Sequence, residues 1–207
     1  MSLPRLTLDV TPLLESQWTG IPVFTRRLLR ALQASGRVSL DYAVRLERVP
    51  EAAVERALRQ GSGTFLRDLV ERGATEGEPI AAGQPLLYPS VKPAPGVVAR
   101  EASTIHDIST LVMPETHAAI NVTHHLAPLR QQLLTDEVVF CCSAATRAAL
   151  TSAFPWVAPK ARLAGRRDPG AARPEGGVAR DLHRLRLGIR EVPPAEARGV
   201  PGAALGL

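Results

Sequence analysis

The sequence has few aromatic residues and only two cysteines. Aromatic side chains make up 4% of the 207 residues, so the stacking surfaces on which single-stranded nucleic acids bind are scarce. The cysteines, Cys141 and Cys142, are adjacent, and neighbours in a strand point to opposite faces, which suits a disulfide poorly. We therefore expect two reduced, buried thiols in a cytoplasmic protein.

Several motifs and segments are also missing. No run of eighteen apolar residues is present, which argues against a membrane span. The N-terminus lacks the basic region followed by an apolar stretch that marks a secretory signal. The patterns GxGxxG, GxxxxGK[ST] and GxSxG do not occur, so a dinucleotide fingerprint, a P-loop and a serine nucleophile elbow are not predicted.

The net charge of +5 is concentrated near the C-terminus. Residues 1–159 contain 15 basic and 15 acidic side chains, whereas residues 160–207 contain 10 basic and 5 acidic ones. A domain that binds phosphate backbones should carry its charge on the folded surface. We therefore predict no nucleic-acid partner. Residues 1–159 also contain no basic amphipathic helix of the kind that binds a membrane surface, although peripheral membrane contact stays open.

Residues 160–207 have an unusual composition. From Ala161 onward Ser, Thr, Asn, Gln, Lys, Cys and aromatic residues are all absent, and Ala, Gly, Arg, Pro, Leu and Val predominate. This predicts a low-complexity, disordered tail. Two explanations stay open: a basic tail with a binding role, or a change of reading frame near Lys160 in a GC-rich gene.

Residues 1–159 alternate between strand and helix patterns. Strands are predicted at 6–10, 38–46, 86–88, 102–105 and 138–142, and helices at 22–35, 51–60, 65–72, 115–134 and 144–153. Alternation of this kind predicts an α/β fold, with a Rossmann-like parallel sheet covered by helices on both faces. Ligands bind beyond the carboxyl ends of such strands, which selects the loop after Val10, the segment after Ile105 and the turn at Ser143.

Two of these places carry candidate binding residues. Thr19 and Gly20 precede the first helix, where glycine lets a phosphate approach backbone amides at the positive end of the helix; the alternative is an ordinary turn glycine. His106 and Asp107 follow a strand, where histidine can bond a sugar hydroxyl or move protons and the carboxylate can orient it. The alternative is a histidine that caps the strand and an aspartate that caps a turn.

The remaining histidines do not predict a metal site. His117 and His124 share one face of the predicted long helix, but two turns separate them, which is too far to chelate one ion. The motif HExxH does not occur. We expect His117, His124 and His125 to be solvated helix residues.

Four segments together resemble the N-terminal domain of family 4 glycosyltransferases. The first consists of LDV at 8–10 and WTGIPVFTRRLLRAL at 18–32; the others are LYPS at 87–90, STIHDIS at 103–109 with PETH at 114–117, and VVFCCSAATR at 138–147. The resemblance covers residues 5–159. It implies the N-terminal half of a GT-B fold, in which two Rossmann-like domains face each other across a cleft.

The resemblance also implies an activity and site residues. Such enzymes transfer a sugar from a nucleotide-sugar donor to a glycan or lipid-linked acceptor with retention, and without a metal or other cofactor. By position, Gly20 would approach the donor diphosphate, Thr19 would line the same loop, His106 would contact the transferred sugar and Asp107 would support that site.

The sequence departs from the family in its second half. Nothing after Lys160 resembles the donor domain, with its basic pair and Glu-x7-Glu segment. Without fixed cations for the leaving diphosphate, we expect this chain to be inactive alone. The alternative is a non-catalytic module that binds a glycan or a partner.

Overall fold

The structure, a computed structural model, describes residues 3–77 and 79–164. Within these residues the fold is α/β, with one seven-stranded sheet flanked by helices. The strands are β1 (Arg5–Asp9), β2 (Ser39–Val44), β3 (Glu47–Val49), β4 (Leu86–Tyr88), β5 (Glu101–Ile105), β6 (Asp136–Cys141) and β7 (Ala161–Leu163). The helices are α1 (Ile21–Ser35), α2 (Glu51–Gln60), α3 (Thr64–Glu71), α4 (Ser109–Val112), α5 (Ala119–Thr135) and α6 (Ala144–Ala153).

The sheet has the order β3-β2-β1-β4-β5-β6-β7. All neighbouring strands are parallel except β3, which pairs antiparallel with β2. Because the first parallel strand lies in the interior and the chain extends from it in both directions, the topology is Rossmann-like. The predicted fold class is confirmed.

Helices pack on both faces of the sheet. Side chains alternate along β6: Val138 and Phe140 join the cluster that includes buried residues of α1, α2 and α3, whereas Val139 and Cys141 join the cluster that includes buried residues of α5 and α6. Such alternation is the period-2 pattern of a strand buried on both sides.

Helix α1 begins and ends where its sequence predicts. Pro22 occupies its first turn, where the missing N–H costs nothing. Leu28, Leu29 and Leu32 are buried against the sheet, and Gly36 ends the helix in the left-handed conformation at φ 59°. This helix places its N-terminus at the carboxyl edge of the sheet, beside the ends of β1 and β5.

The strand predicted over residues 38–46 ends earlier than predicted, at Val44. The chain turns at Arg45 and Leu46, whose φ values are 50° and 74°, and returns as β3. Neither residue type signals a turn that needs positive φ, so sequence patterns miss this hairpin. The backbone N–H of Arg45 donates to Thr11 Oγ1 at 2.8 Å, which anchors the turn to the loop after β1.

The long helix predicted from residue 115 begins later, at Ala119. Pro114–Thr116 forms a 3-10 turn, and His117 and Ala118 have extended backbone, so a helix cannot pass through them. The short helix α4 was not predicted. Helix α5 continues through Pro128 to Thr135.

The sheet extends past the predicted domain end at residue 159. Val139 N donates to Lys160 O at 3.0 Å, and Ala161 is buried beside β6. The side chain of Lys160 donates to the carbonyl oxygens of Leu133 and Asp136. The first residues of the predicted tail therefore belong to the fold, and its remainder, residues 165–207, lies outside the described residues.

Candidate functional site

The carboxyl ends of the parallel strands lie at one edge of the sheet. Strand order reverses between β1 and β4, because the chain adds β2 on one side of β1 and β4 with its successors on the other. A reversal of this kind opens a crevice in which ligands of α/β proteins bind. The three places selected from the sequence all follow strands at this edge.

Two adjoining cavities occupy this edge. The first, of about 220 Å³, is lined by His106 and Asp107 after β5. The second, of about 380 Å³, is lined by Asp9 and Thr11 after β1. We call the two together the carboxyl-edge groove, because four residues line both of them: Ile21, Ser90, Val91 and His125.

The imidazole of His106 is held on both of its nitrogens. Nε2 lies 2.8 Å from the carbonyl oxygen of Pro89, and because a carbonyl only accepts, Nε2 carries the proton and donates. In the neutral ring Nδ1 is then an acceptor, and Cys142 Sγ lies 3.2 Å from it. Phe24 of α1 packs edge-to-face on the ring, with 4.8 Å between centroids. The ring is therefore fixed by three separate elements.

Both cysteines are free thiols, but only Cys141 is buried. Cys142 is exposed, which corrects the expectation of two buried thiols: it follows the last residue of β6, where the sheet ends and side chains meet solvent. Although Cys142 is exposed as a residue, neighbouring atoms partly desolvate its thiol; this desolvation, and then the nearby carboxylate of Asp107, raise the pKa of Cys142 to about 11. The resting pair is a neutral thiol that donates to the His106 ring.

Asp107 bonds the next helix rather than the imidazole. Its Oδ1 accepts from Ser109 N at 2.9 Å and from Ser109 Oγ at 2.6 Å, which forms an Asx turn just before α4. These hydrogen bonds hold the pKa of Asp107 below its ordinary value. The prediction that this carboxylate orients His106 is not supported, since Pro89 and Cys142 do so.

Thr19 and Gly20 are exposed at the start of α1. They do not line the groove, whereas the next residue, Ile21, does. Gly20 has φ 51° and ψ −110°, a conformation that residues with a Cβ atom rarely adopt. A Cβ added to Gly20 would meet nothing within 4 Å, so the space beside this residue is open to solvent.

The turn at Ser143 joins the site through the backbone of His106. Ser143 caps α6 as predicted, because its Oγ accepts from Thr146 N at 2.9 Å. Thr146 Oγ1 in turn donates to the carbonyl oxygen of His106 at 3.0 Å. The start of α6 thereby fixes the end of β5, and with it the position of the imidazole.

Sequence reasoning missed Asp9, the last residue of β1. Its side chain is nearly completely buried, and Thr11 N and Thr11 Oγ1 donate to its Oδ1 at 3.2 and 2.5 Å. Burial raises its pKa to about 6, against the lowering effect of these hydrogen bonds. The available signal was a lone carboxylate at the carboxyl end of an apolar strand.

A buried ion cluster lies behind the groove. Lys92 lines the second cavity, but its Nζ lies 2.7 Å from both Glu101 Oε2 and Asp136 Oδ1, and all three side chains are fully buried. Burial raises the pKa of Asp136 to about 6 even beside this ammonium. Burial would also raise the pKa of Glu101, but hydrogen bonds from Lys92 and from Gly96 hold it below its ordinary value.

Two further histidines, His117 and His125, line the first cavity. His117 has extended backbone and its Nε2 is buried without a hydrogen-bond partner, so it is not the solvated helix residue that we expected. His124 lies in α5, and its side chain is outside the description. Among the described residues no group of three His, Cys, Asp or Glu side chains could hold a metal ion.

Comparison with protein-family models, curated proteins and solved structures gives no match. In the part of the chain that the structure describes, every helix is too short or too polar to cross a lipid bilayer.

Proposed function

We propose that this fold is the acceptor-side domain of a retaining glycosyltransferase. The observation that carries the proposal is spatial. The four segments that resemble family 4 enzymes are distant in sequence, but they lie around the same groove. Ile21 and Ser90 line it beside His106, and Thr146 bonds the backbone of His106 from behind. A cleft at a topological switch point, lined by both apolar and polar side chains, suits a sugar substrate.

In this proposal the groove binds the acceptor and Gly20 faces the donor. The open space at Gly20 leaves room for a diphosphate held by another unit, at a helix N-terminus whose first turn contains no acidic residue. The fixed Nε2–H of His106 keeps the ring in one orientation beside the transferred sugar. Asp107 supports the site by fixing the turn before α4 rather than by moving a proton.

Transfer requires cationic groups that the groove does not offer. Among the described groove-lining residues the one Lys or Arg is Lys92, and its ammonium is already paired with Glu101 and Asp136. Charge developing on a leaving diphosphate would therefore lack a stabilising partner here. We expect a donor-binding unit outside the described residues to supply it, and the 207-residue chain alone to be inactive.

Saturation-transfer NMR on the purified chain tests the proposal. The probes are methyl α-D-glucopyranoside, methyl α-D-mannopyranoside, UDP-glucose and GDP-mannose. We expect saturation of at least one methyl glycoside, weak or absent saturation of both nucleotide sugars, and no transfer product. Failure of both glycosides to bind would contradict the acceptor role, and sugar transfer by the chain alone would contradict its inactivity.

One observation favours a second candidate, a non-catalytic glycan-binding module. Both ring nitrogens of His106 and one carboxylate oxygen of Asp107 already have partners within the protein. A substrate would have to displace Pro89 or Cys142 before it could exchange a proton with the imidazole. Glycoside binding without transfer, even after a donor-binding unit is added, would favour this module over the enzyme.

A further inference from the structure

The side chain of Asp9 combines burial with access to the groove. Only 3% of its surface is exposed, yet it lines the second cavity. Both hydrogen bonds that the structure gives it end on Oδ1, so Oδ2 has no donor among the described residues. Oδ2 is not among the fully buried atoms that lack a partner, so this oxygen keeps some access to the cavity that Asp9 lines, and a ligand in the groove would supply its donor.

The neighbours of Asp9 define the kind of ligand. Glu15 lines the same cavity and adds a second carboxylate. Lys92 also lines it, but its ammonium is bound to Glu101 and Asp136 and does not neutralise Asp9. This end of the groove therefore disfavours phosphate and carboxylate groups and favours hydrogen-bond donors. Thr11 and Ser90, which also line it, are neutral and polar.

We propose that Asp9 is a binding residue for a hydroxyl group of an uncharged sugar, which donates to Oδ2. The proposal rests on the proposed function, because it takes the ligand of the groove to be a sugar acceptor. It goes further by placing one end of that ligand at the end of β1, at the opposite end of the groove from His106.

The surrounding structure fixes the direction of Oδ2. Thr11 bonds Oδ1 through both its backbone N–H and its hydroxyl. The same hydroxyl accepts from the backbone of Arg45 at 2.8 Å, so the hairpin between β2 and β3 holds Thr11 in place. A carboxylate held on one oxygen by two donors presents the other oxygen in a defined direction, and such preorganisation favours specific binding.

The cost of burying a carboxyl group at this position is consistent with a binding role. Burial raises the pKa of Asp9 to about 6, so the ionised form destabilises the folded chain at neutral pH. Groups that cost stability and line a cleft are frequent at functional sites. An asparagine would keep the contact with Thr11 at a lower cost.

The test compares Asp9→Asn with Glu71→Gln in the full chain. Both variants replace a carboxylate by an amide, and Glu71 is exposed on α3, away from the groove. The probes are methyl α-D-glucopyranoside and methyl α-D-mannopyranoside, observed by saturation-transfer NMR. We expect affinity to fall at least tenfold in Asp9→Asn and to stay unchanged in Glu71→Gln, with both variants folded by circular dichroism.

A second measurement needs no variant. In the ¹³C-labelled wild-type chain, the carboxyl resonance of Asp9 should shift when the bound glycoside is added, whereas that of Asp41 should not. Binding that leaves both Asp9→Asn and the Asp9 resonance unaffected would overturn the role of Asp9 while the proposed function stands. Absence of glycoside binding to the wild-type chain would overturn both.

Discussion

The imidazole Nε2 of His106 lies 2.8 Å from the carbonyl oxygen of Pro89, so a hydrogen bond joins the end of β5 to the loop after β4. Pro89 is buried, and the nearby thiol of Cys142 occupies the other nitrogen. His106 therefore has two roles: it lines the groove, and it connects the end of β5 to the loop after β4 through this hydrogen bond. Its substitution should change stability as well as binding.

Replacing His106 by phenylalanine should lower the free energy of unfolding by about 1–3 kcal/mol. Phenylalanine keeps an aromatic ring against Phe24, but the buried carbonyl oxygen of Pro89 loses its donor. Urea unfolding followed by circular dichroism measures the change.

His117→Phe is the matched control for this variant. His117 also lines the groove, but its Nε2 has no hydrogen-bond partner to lose. We expect its stability to equal or exceed that of wild type, because the substitution removes a buried nitrogen that has no partner. Equal losses in the two variants would show that the bond to Pro89 is not what stabilises the fold.

The sequence predicted the elements whose signals are local. The period of apolar residues located α1 and α2, and Gly36 and Ser143 marked a helix end and a helix start in the structure. The hairpin at Arg45 and Leu46 was missed because neither residue type favours positive φ. Strand β7 was missed because its residues were assigned to the tail of unusual composition, and only pairing with β6 defines them.

The sequence predicts where a candidate site lies but not the contacts of its residues. Parallel strands imply that candidate binding residues lie at their carboxyl ends, which selects His106 and Asp107 as candidates, and both line the groove. The partners of these residues depend on tertiary contacts: Pro89 lies 17 residues before His106, and Cys142 lies 36 after it. The contact of Gly63 with the loop after β1 could not be predicted from local sequence either. A Cβ atom at Gly63 would overlap the carbonyl oxygen of Leu13.

The two adjacent cysteines should react very differently. Iodoacetamide should label Cys142 in the folded chain, because Cys142 is exposed, and should reach the buried Cys141 only after unfolding. Because the pKa of Cys142 is raised to about 11, its thiolate fraction at pH 8 is about 100-fold or more below that of an ordinary thiol. The labelling rate should keep rising above pH 9.

Peptide mass spectrometry over a pH series measures these rates, with Cys142→Ser as the control that abolishes native labelling. Faster labelling of Cys142 than of glutathione at pH 7 would contradict the neutral thiol and indicate an ion pair with His106.

Asp9→Asn should stabilise the chain at neutral pH. An acid with its pKa raised from 3.8 to about 6 binds a proton more tightly in the folded state, so stability falls as pH rises through this window. The shift corresponds to about 3 kcal/mol. The variant should therefore equal wild type near pH 3.5 and exceed it by up to about this amount above pH 6.5.

Urea unfolding of both proteins at matched pH values isolates Asp9, because Asp136, which titrates in the same range, contributes equally to both. A difference that is independent of pH would contradict the raised pKa of Asp9.

Lys92→Met should destabilise the fold by about 3–5 kcal/mol at pH 7, because Glu101 and Asp136 would stay buried without their counter-ion. The loss should shrink as pH falls toward 4, since the two carboxyls can then be protonated in the folded state. Adding Asp136→Asn should recover part of the loss by removing one uncompensated charge. Arg59→Met, on an exposed side chain at the end of α2, should change stability by less than about 0.5 kcal/mol. A loss in Lys92→Met as small as in Arg59→Met would show that the carboxylates do not depend on Lys92.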